Sequence, residues 1–570
     1  MHALTAPLSE LAEIEEIYEE RGRETGMLLL SGCVTSQKTH LMYALGKDYG
    51  HTLIVLSSED KAKKLYEEYR FLNENTIYYP AKDLLFYQAD IHGKQLVKQR
   101  METLQMMMEA KSQVTVITTI DGFMDELPSE AEIKGDILTI SNGEALEFES
   151  LKEKIIKLGY DREAQVDGPG QFAVRGGIID IYPLTEELPI RIEFWGDEVD
   201  SIRTFDVDSQ RSVENLEQIV IYPADDRLGS DRKVSFINYF DPKDTLVFLD
   251  EPARLLEKGR LAENEVEKAR ENRAEEMERT GEMEEAPEFF TTDEIIKFLN
   301  KFCMIGMCAL EMKCKPFFVK KRFGIQAKSV NPYNSSFEML TQDLKRLKRN
   351  GYRAVLISGS RTRAKRLAED LRDYDLSSFY SEDQEREVNP GEIMVCYGHI
   401  EVGYEYPMIK FIVISESDIF GKTKKKKKRK SYDGQKISSF SDLKPGDYVV
   451  HENHGLGIYR GIEKIEVDKV TKDYMKISYA DGGNLYILAT QLDQIQKYAS
   501  ADAKKPKLNK LGGQEWHRTK SKVKTAVWQI AKDLVELYAV RQSKEGFVYE
   551  KDTVWQKEFE EMFPFEETED

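Results

Sequence analysis

Cysteine is scarce. Five thiols in 570 residues cannot staple a chain of this length, and so few of them point to a reducing, cytoplasmic compartment. Cys303, Cys308 and Cys314 cluster, but their spacing lacks the CxxC pairs of a structural zinc site. They read as buried thiols, and no metal is expected. No run of 18 apolar residues occurs, which argues against a transmembrane helix. The opening stretch, MHALTAPLSELAEIEEIYEE, is acidic and has no signal-peptide apolar core. Positive charge is also short: 82 Lys and Arg against 102 Asp and Glu leave a net charge of −20. The chain as a whole is therefore a poor nucleic-acid binder, and a DNA contact needs a local basic patch. One candidate exists, KTKKKKKRK at Lys422 to Lys430. It reads as a solvated linker, with non-specific phosphate attraction as the alternative.

Apolar residues make up 41% of the chain and aromatics 10%. That is enough to bury several cores in a chain long enough for several domains. Residues 25 to about 120 alternate short apolar strands with charged helices, the pattern of a parallel α/β sheet. Between the first strand and helix lies GCVTSQKT, Gly32 to Thr39. It nearly spells the phosphate loop GxxxxGK[ST]. Gln37 stands where a glycine lets the backbone curl around phosphate, so a working site built on Lys38 and Thr39 is not expected. Thr119-Ile-Asp121 supplies no acid pair. Asp250-Glu251 does follow a later strand (Lys243 to Leu255, KDTLVFLDEPARL), and Asp250 reads as a cap of the next helix.

The most informative run is Gly168 to Arg211, GPGQFAVRGGIIDIYPLTEELPIRIEFWGDEVDSIRTFDVDSQR. It predicts two or three antiparallel strands, with Gly176-Gly177 loosening or bulging the first and Pro183 to Pro189 turning the chain. Alternation puts Ile190, Ile192 and Phe194 on one face and Arg191, Glu193 and Trp195 on the other. An exposed Trp beside an Arg has the composition of a protein-binding hot spot. The competing reading packs Trp195 under a loop and pairs Arg191 with Glu193 or Asp197.

Arg260 to Thr280 reads as a polar helix stopped at Gly281. Lys313, Lys315, Lys320, Lys321 and Arg322 read as solvated surface. Residues 337 to about 418 form a second α/β unit. From Lys444 the texture turns to short strands, and Met475, Ile477 and Tyr479 share a face. His451 and His454 have HxxH spacing but no third ligand. Gln514 to Glu545 predicts a long helix with an apolar stripe of Val523, Val527, Ile530, Leu534 and Leu537, stopped at Gly546.

The pattern GQFAVRGGIIDIYP…PIRIEFWGDEVDSIRTFDVDSQR resembles the UvrA-binding module of the bacterial transcription-repair coupling factor (Mfd) family, shared with UvrB. The family's two Arg and its aromatic fall on Arg175, Arg191 and Trp195, where Trp replaces the usual Phe. GDYVVHENHGLGIYRGI is similar to the family's RNA polymerase-interacting domain, shared with CarD-type regulators. The strand that pairs with the polymerase β subunit maps to Ile462 to Val467. Ile465 is its apolar contact, flanked by Lys464 and Glu466. An Ile465 facing the β core is equally compatible with the residues.

The resemblance implies a multidomain α/β and β fold. A UvrB-like, degenerate RecA-type α/β domain (1–125 and 223–325) is interrupted by an inserted UvrA-binding module (126–222). A small α/β domain (326–420), a basic linker (421–440), a CarD/Tudor-like β-barrel (441–503) and a linker helix (504–570) follow. The segment Tyr78 to Arg100 looks too short for UvrB's damage-clamping hairpin. The implied function is an adaptor in the cytoplasm that binds UvrA and the RNA polymerase β subunit, with no cofactor or membrane. ATP, Mg and most DNA contact belong to a motor expected beyond Asp570. The alternative is a UvrB-like nucleotide-binding, helicase-related protein of excision repair.

Overall fold

A computed structural model describes residues 2–21, 25–82, 94–110, 112–207, 209–224, 233–280, 288–311, 313–383, 386–421, 435–436, 443–451, 454–467, 470–480, 482–488, 495–498, 506–511 and 515–543. Lys422 to Lys430, the proposed helix stops Gly281 and Gly546, residues 83–93 of the shortened hairpin segment and the chain's last residues lie outside them.

Short, continuously apolar segments build a seven-stranded sheet, as expected of strands covered on both faces. Its spatial order is Val319–Gly324, Gly26–Ser31, Cys303–Cys308, Thr245–Asp250, His51–Leu56, Val114–Thr119 and Thr76–Tyr79. Every neighbouring pair is parallel. The strands come from both sides of residues 126–222, part of which (Leu127, Ile133, Leu184 and Tyr222) packs into the core of this same unit. The edge strand Val319–Gly324 carries Lys320 and Lys321, and both pair with the acidic N-terminal helix Ala12–Glu20 through Glu16 and Glu20. Arg322 pairs with Glu311. Lys313, Lys315 and Arg322 are exposed, as expected of a solvated stretch, whereas Lys320 and Lys321 are matched by acids from the N-terminal helix.

The interrupting segment forms a six-stranded sheet. Its order is Ser212–Leu216, Glu198–Phe205, Ile190–Trp195, Ile178–Tyr182, Gln171–Arg175 and Asp161–Arg162. The helix Phe148–Lys157 buries Leu151 and Ile155 against one face, joining Ile179, Ile181, Ile190 and Ile192 in a single core. Gly176-Gly177 is the two-residue turn of a hairpin in which Arg175 faces Ile178, not a bulge. Gly176 has φ +61°, a value glycine reaches without steric cost and hairpin turns require.

The second α/β unit orders Lys328–Ser329, Tyr404–Tyr406, Phe411–Ser415, Arg353–Ser358, Ile393–Tyr397 and Ser378–Tyr380. The helices Phe337–Arg349 and Arg361–Asp373 pack on its Leu356 and Val395 face. Its other face, with Val355, Ile357, Tyr404, Tyr406 and Phe411, shares a core with Leu41, Leu45 and Tyr69 of the first unit. The two α/β units are thus joined through apolar contact, not merely tethered.

The last sheet is antiparallel: Gln435–Lys436, Ile495–Lys497, Tyr448–His451, Gly455–Val467, Val470–Ser478 and Asn484–Leu488. Met475, Ile477 and Tyr479 are buried in its core. On the helix Glu515–Ser543 the stripe of Val523, Val527, Ile530, Leu534 and Leu537 lies exposed. All five cysteines are buried, and none forms a disulfide. No described helix is long and apolar enough to cross a membrane.

Candidate functional site

Three places carry the chemistry that the sequence singles out. The first is the uncovered face of the six-stranded sheet. Along Ile190–Trp195, Ile190 and Ile192 point into the core, while Arg191 and Glu193 lie on the outer face. A register shift between Glu193 and Phe194 marks a bulge just before Trp195, a device that re-aims a strand end. Trp195 is 83% exposed, which excludes its packing under a loop. The Phe194 amide donates to Gly177 O at 2.9 Å, so the Trp strand end abuts the Gly176-Gly177 turn.

Arg191 pairs with neither Glu193 nor Asp197. Its cross-strand neighbour is Asp180, whose side chain is 1% exposed. Arg191 Nε donates to Asp180 Oδ1 at 2.6 Å and Nη2 donates to Oδ2 at 2.9 Å. Arg175 Nη2 donates to the same Oδ2 at 2.8 Å. The Arg191 guanidinium also stacks 4.5 Å from the Phe205 ring centroid. Hydrogen bonding to Asp180 raises the Arg191 pKa further above its ordinary value. Glu193 instead bonds Arg203 and Ser201. One buried carboxylate therefore binds two guanidiniums in charge-assisted geometry, leaving Arg175 with 48% of its side chain exposed against 15% for Arg191.

The second place is the loop resembling a phosphate site. Gly32 has φ +80°, and a Cβ there would meet Ile325 O at 2.4 Å, so the loop's entry requires glycine. The helix Thr35–Gly46 follows. Gln37 is fully buried. Its Oε1 accepts from the Val34 amide at 3.1 Å, and its Nε2 donates to the Tyr406 hydroxyl at 3.0 Å. Ser36 Oγ and Thr39 Oγ1 donate to the two oxygens of Glu68 at 2.6 and 2.7 Å. Lys38 Nζ donates to Asp250 Oδ1 at 2.6 Å and Glu251 Oε1 at 2.7 Å.

Asp250 is thus Lys38's counter-ion rather than a helix cap, because the strand it ends lies close enough for the lysine to reach. Burial alone would lower the Lys38 pKa, but the two carboxylates outweigh it and hold the ammonium above its usual value. Burial pushes the Glu251 carboxyl up, but Lys38 and the Ala309 amide bring it below the usual range. Residue by residue, the cations and hydroxyls that would grip phosphate and metal are spent on the protein's own acids. Sequence reasoning missed Glu68 and Tyr406; the latter is 369 positions from Gln37, and no local pattern joins them.

The third place is a hairpin. Strand Gly455–Val467 pairs with Tyr448–His451 only over Gly455 to Ile458. It pairs with Val470–Ser478 all the way to Val467. Past Ile458 its other edge has no strand neighbour among the described residues. Lys464, Ile465 and Glu466 lie on this stretch, opposite Asp473, Lys472 and Thr471; their side chains lie outside the described set. Ile462 on the same stretch is exposed. The His451 and His454 rings lie 4.7 Å apart, and the described residues hold no cluster suited to a metal ion.

Comparison with known proteins picks out two of these places. The family described as UvrB interaction domain matches residues 138–226. The family described as CarD-like/TRCF RID domain matches residues 443–499. The transcription-repair-coupling factor of Bacillus subtilis (strain 168) is 31% identical over 608 aligned positions, covering 95% of this chain and 51% of that protein. Those of Staphylococcus haemolyticus (strain JCSC1435) and Staphylococcus epidermidis (strain RP62A) are 30% and 28% identical, covering 51% and 53% of their own lengths. The chain is homologous to the transcription-repair-coupling factors. It spans about half the length of the curated relatives it matches, and the homology runs through both α/β units as well as the two matched modules.

Proposed function

We propose that the chain is the adaptor portion of a transcription-repair-coupling factor. One end docks UvrA through the outer face of the six-stranded sheet, with Arg175, Arg191 and Trp195 at its centre. The other end adds the strand around Lys464, Ile465 and Glu466 to the RNA polymerase β subunit. The observation that carries this reading is that one chain holds both a UvrB interaction domain and a CarD-like/TRCF RID domain. Local geometry supports it at both ends. Trp195 offers an exposed aromatic anchor and Arg175 a half-exposed guanidinium, the residue types of protein hot spots, and among the described residues the 460–467 stretch has no strand neighbour on its outer edge, as β-augmentation requires.

Catalysis in this reading belongs to the ATP- and Mg-dependent DNA translocase of the whole protein, which acts in the cytoplasm. This chain binds no cofactor and meets DNA chiefly through that motor. The UvrB-like nucleotide-binding alternative is disfavoured by the Lys38 ion pairs. Calorimetry of the chain with UvrA, and separately with the polymerase β subunit, tests the proposal. Two independent, ATP-free complexes are expected. Failure to bind UvrA or the polymerase β subunit would overturn the corresponding half, and ATP binding abolished by Lys38→Ala would favour the nucleotide-binding alternative.

A further inference from the structure

Gln210 sits in the connection between Glu198–Phe205 and Ser212–Leu216. It is one of six non-glycine residues with positive φ among those described, at +58°. That conformation is uncommon for a residue with a side chain, and such strain collects where surrounding structure enforces it. Here the enforcement is visible. The Gln210 amide donates to Asp206 O at 2.8 Å, and its side-chain Nε2 donates to Val207 O at 2.9 Å. The latter bond fixes the amide's orientation and turns Oε1 toward the arginines. Oε1 accepts from Arg191 Nη2 at 3.2 Å and lies 3.5 Å from Arg175 Nη2. The Gln210 carbonyl accepts from Arg191 Nη1 at 3.4 Å.

The donor inventory then divides the two arginines. Arg191 has Nε, Nη1 and Nη2 all directed to Asp180 or Gln210. Among the described residues Arg175 uses Nη2 alone, which leaves its Nε and Nη1 for a partner's acceptor. We infer that Gln210 is a positioning residue of the docking face. It and Asp180 clamp Arg191, and the clamped Arg191–Asp180 pair holds Arg175 with one edge turned outward to a carboxylate of the partner. Arg191 then acts through Arg175 rather than by bonding the partner itself. This rests on the UvrA-docking reading for its readout, but the clamp is a property of the chain alone.

Gln210→Gly separates positioning from folding. Glycine adopts φ +58° without strain, so thermal stability should hold or rise while the clamp is lost. UvrA binding should weaken about tenfold, the size expected for coupled members of one hydrogen-bond network. In the Arg175→Ala background the same change should cost little more, because the effect runs through Arg175. Gln210→Glu, which keeps an acceptor for the arginines but loses the bond to Val207 O, should retain more binding than Gln210→Gly and less than the intact chain. The clamp is read without a partner by side-chain NMR of selectively labelled arginine: restricted guanidinium rotation at Arg191 in the intact chain, released in Gln210→Gly. Unchanged rotation, wild-type affinity of Gln210→Gly, or losses that simply add with Arg175→Ala would each overturn the inference. Released rotation in a chain that binds no UvrA would instead show the clamp to be real and the docking reading wrong.

Discussion

Lys38 offers a sharp test of whether the loop is a nucleotide site or a structural joint. Its side chain is 12% exposed, and those of Asp250 and Glu251 are 11% and 15% exposed. Lys38→Met removes the cation while keeping the stem. Two nearly buried carboxylates are then left facing each other, with Lys61 3.6 Å from Asp250 and Arg254 near Glu251 as partial compensation. Breaking a buried ion pair from one side costs about 3–5 kcal/mol. The residual exposure and Lys61 reduce this, so a loss of about 2–4 kcal/mol is expected by urea unfolding at pH 7. The triple change Lys38→Met, Asp250→Asn, Glu251→Gln should recover most of it, because removing a whole buried ionic group is far less costly than orphaning half. The loss should also be pH-dependent. Glu251 titrates below its ordinary value, so the ion pair's stabilisation is present above the usual carboxylate range and fades as pH falls through the lowered folded value. Unaltered stability in Lys38→Met, together with ATP binding that the substitution abolishes, would refute the structural account.

Three further outcomes follow from the same geometry. Trp195→Ala should weaken UvrA binding by about 2 kcal/mol or more with no loss of stability, since the indole has little protein around it; equal calorimetric affinity would move the anchor elsewhere. Lys464→Pro, which removes an amide that faces away from Val470–Ser478, should abolish polymerase β-subunit binding and leave UvrA binding intact; retained polymerase binding in a pull-down would exclude strand addition there. His40 is wholly buried, and burial, partly offset by its bond to Leu4 O, lowers its pKa to about 4. An unfolded histidine takes up its proton near pH 6.5, so folding is stabilised above that pH and loses up to about 3 kcal/mol as pH falls from 6.5 toward 4. His40→Gln should flatten that part of the pH–stability curve, and an unchanged slope would show that other groups cause it.

What was legible in the sequence is what local pattern encodes. Apolar runs such as Met27 to Leu30 and Thr245 to Leu249 marked the parallel strands, and alternation placed Ile190 and Ile192 inside. The partner of Arg191 was missed because it depends on register. Asp180 faces Arg191 only because Gly176-Gly177 is a tight turn and the 183–189 connection returns the chain in step. Treating the glycine pair as a bulge lost that register, and with it the carboxylate holding both arginines. The long helix shows the reverse limit. Its apolar stripe is obvious at spacings of three and four, but spacing does not say whether anything covers it, and here it stands exposed.

The same logic explains how a loop spelled nearly like a phosphate site can serve as a structural joint. Helix N-termini and lysines arranged for phosphate are destabilised when no anion is present, through unsatisfied amides and unpaired charge. This chain supplies the anions itself. Asp250 and Glu251 neutralise Lys38, and Glu68 takes up the Ser36 and Thr39 hydroxyls. Glu68 also accepts from the Glu401 amide of the second α/β unit. In that unit, Glu416 accepts from Ser358 and the Gly359 amide ahead of helix Arg361–Asp373, and from Arg363 within it. Both strand–loop–helix crossovers are therefore closed by internal carboxylates. The joint between the units runs through this loop, where Gln37 reaches Tyr406. A glycine restored at position 37 would remove that bond and reopen the loop, so the substitution that makes the motif look functional should weaken the joint.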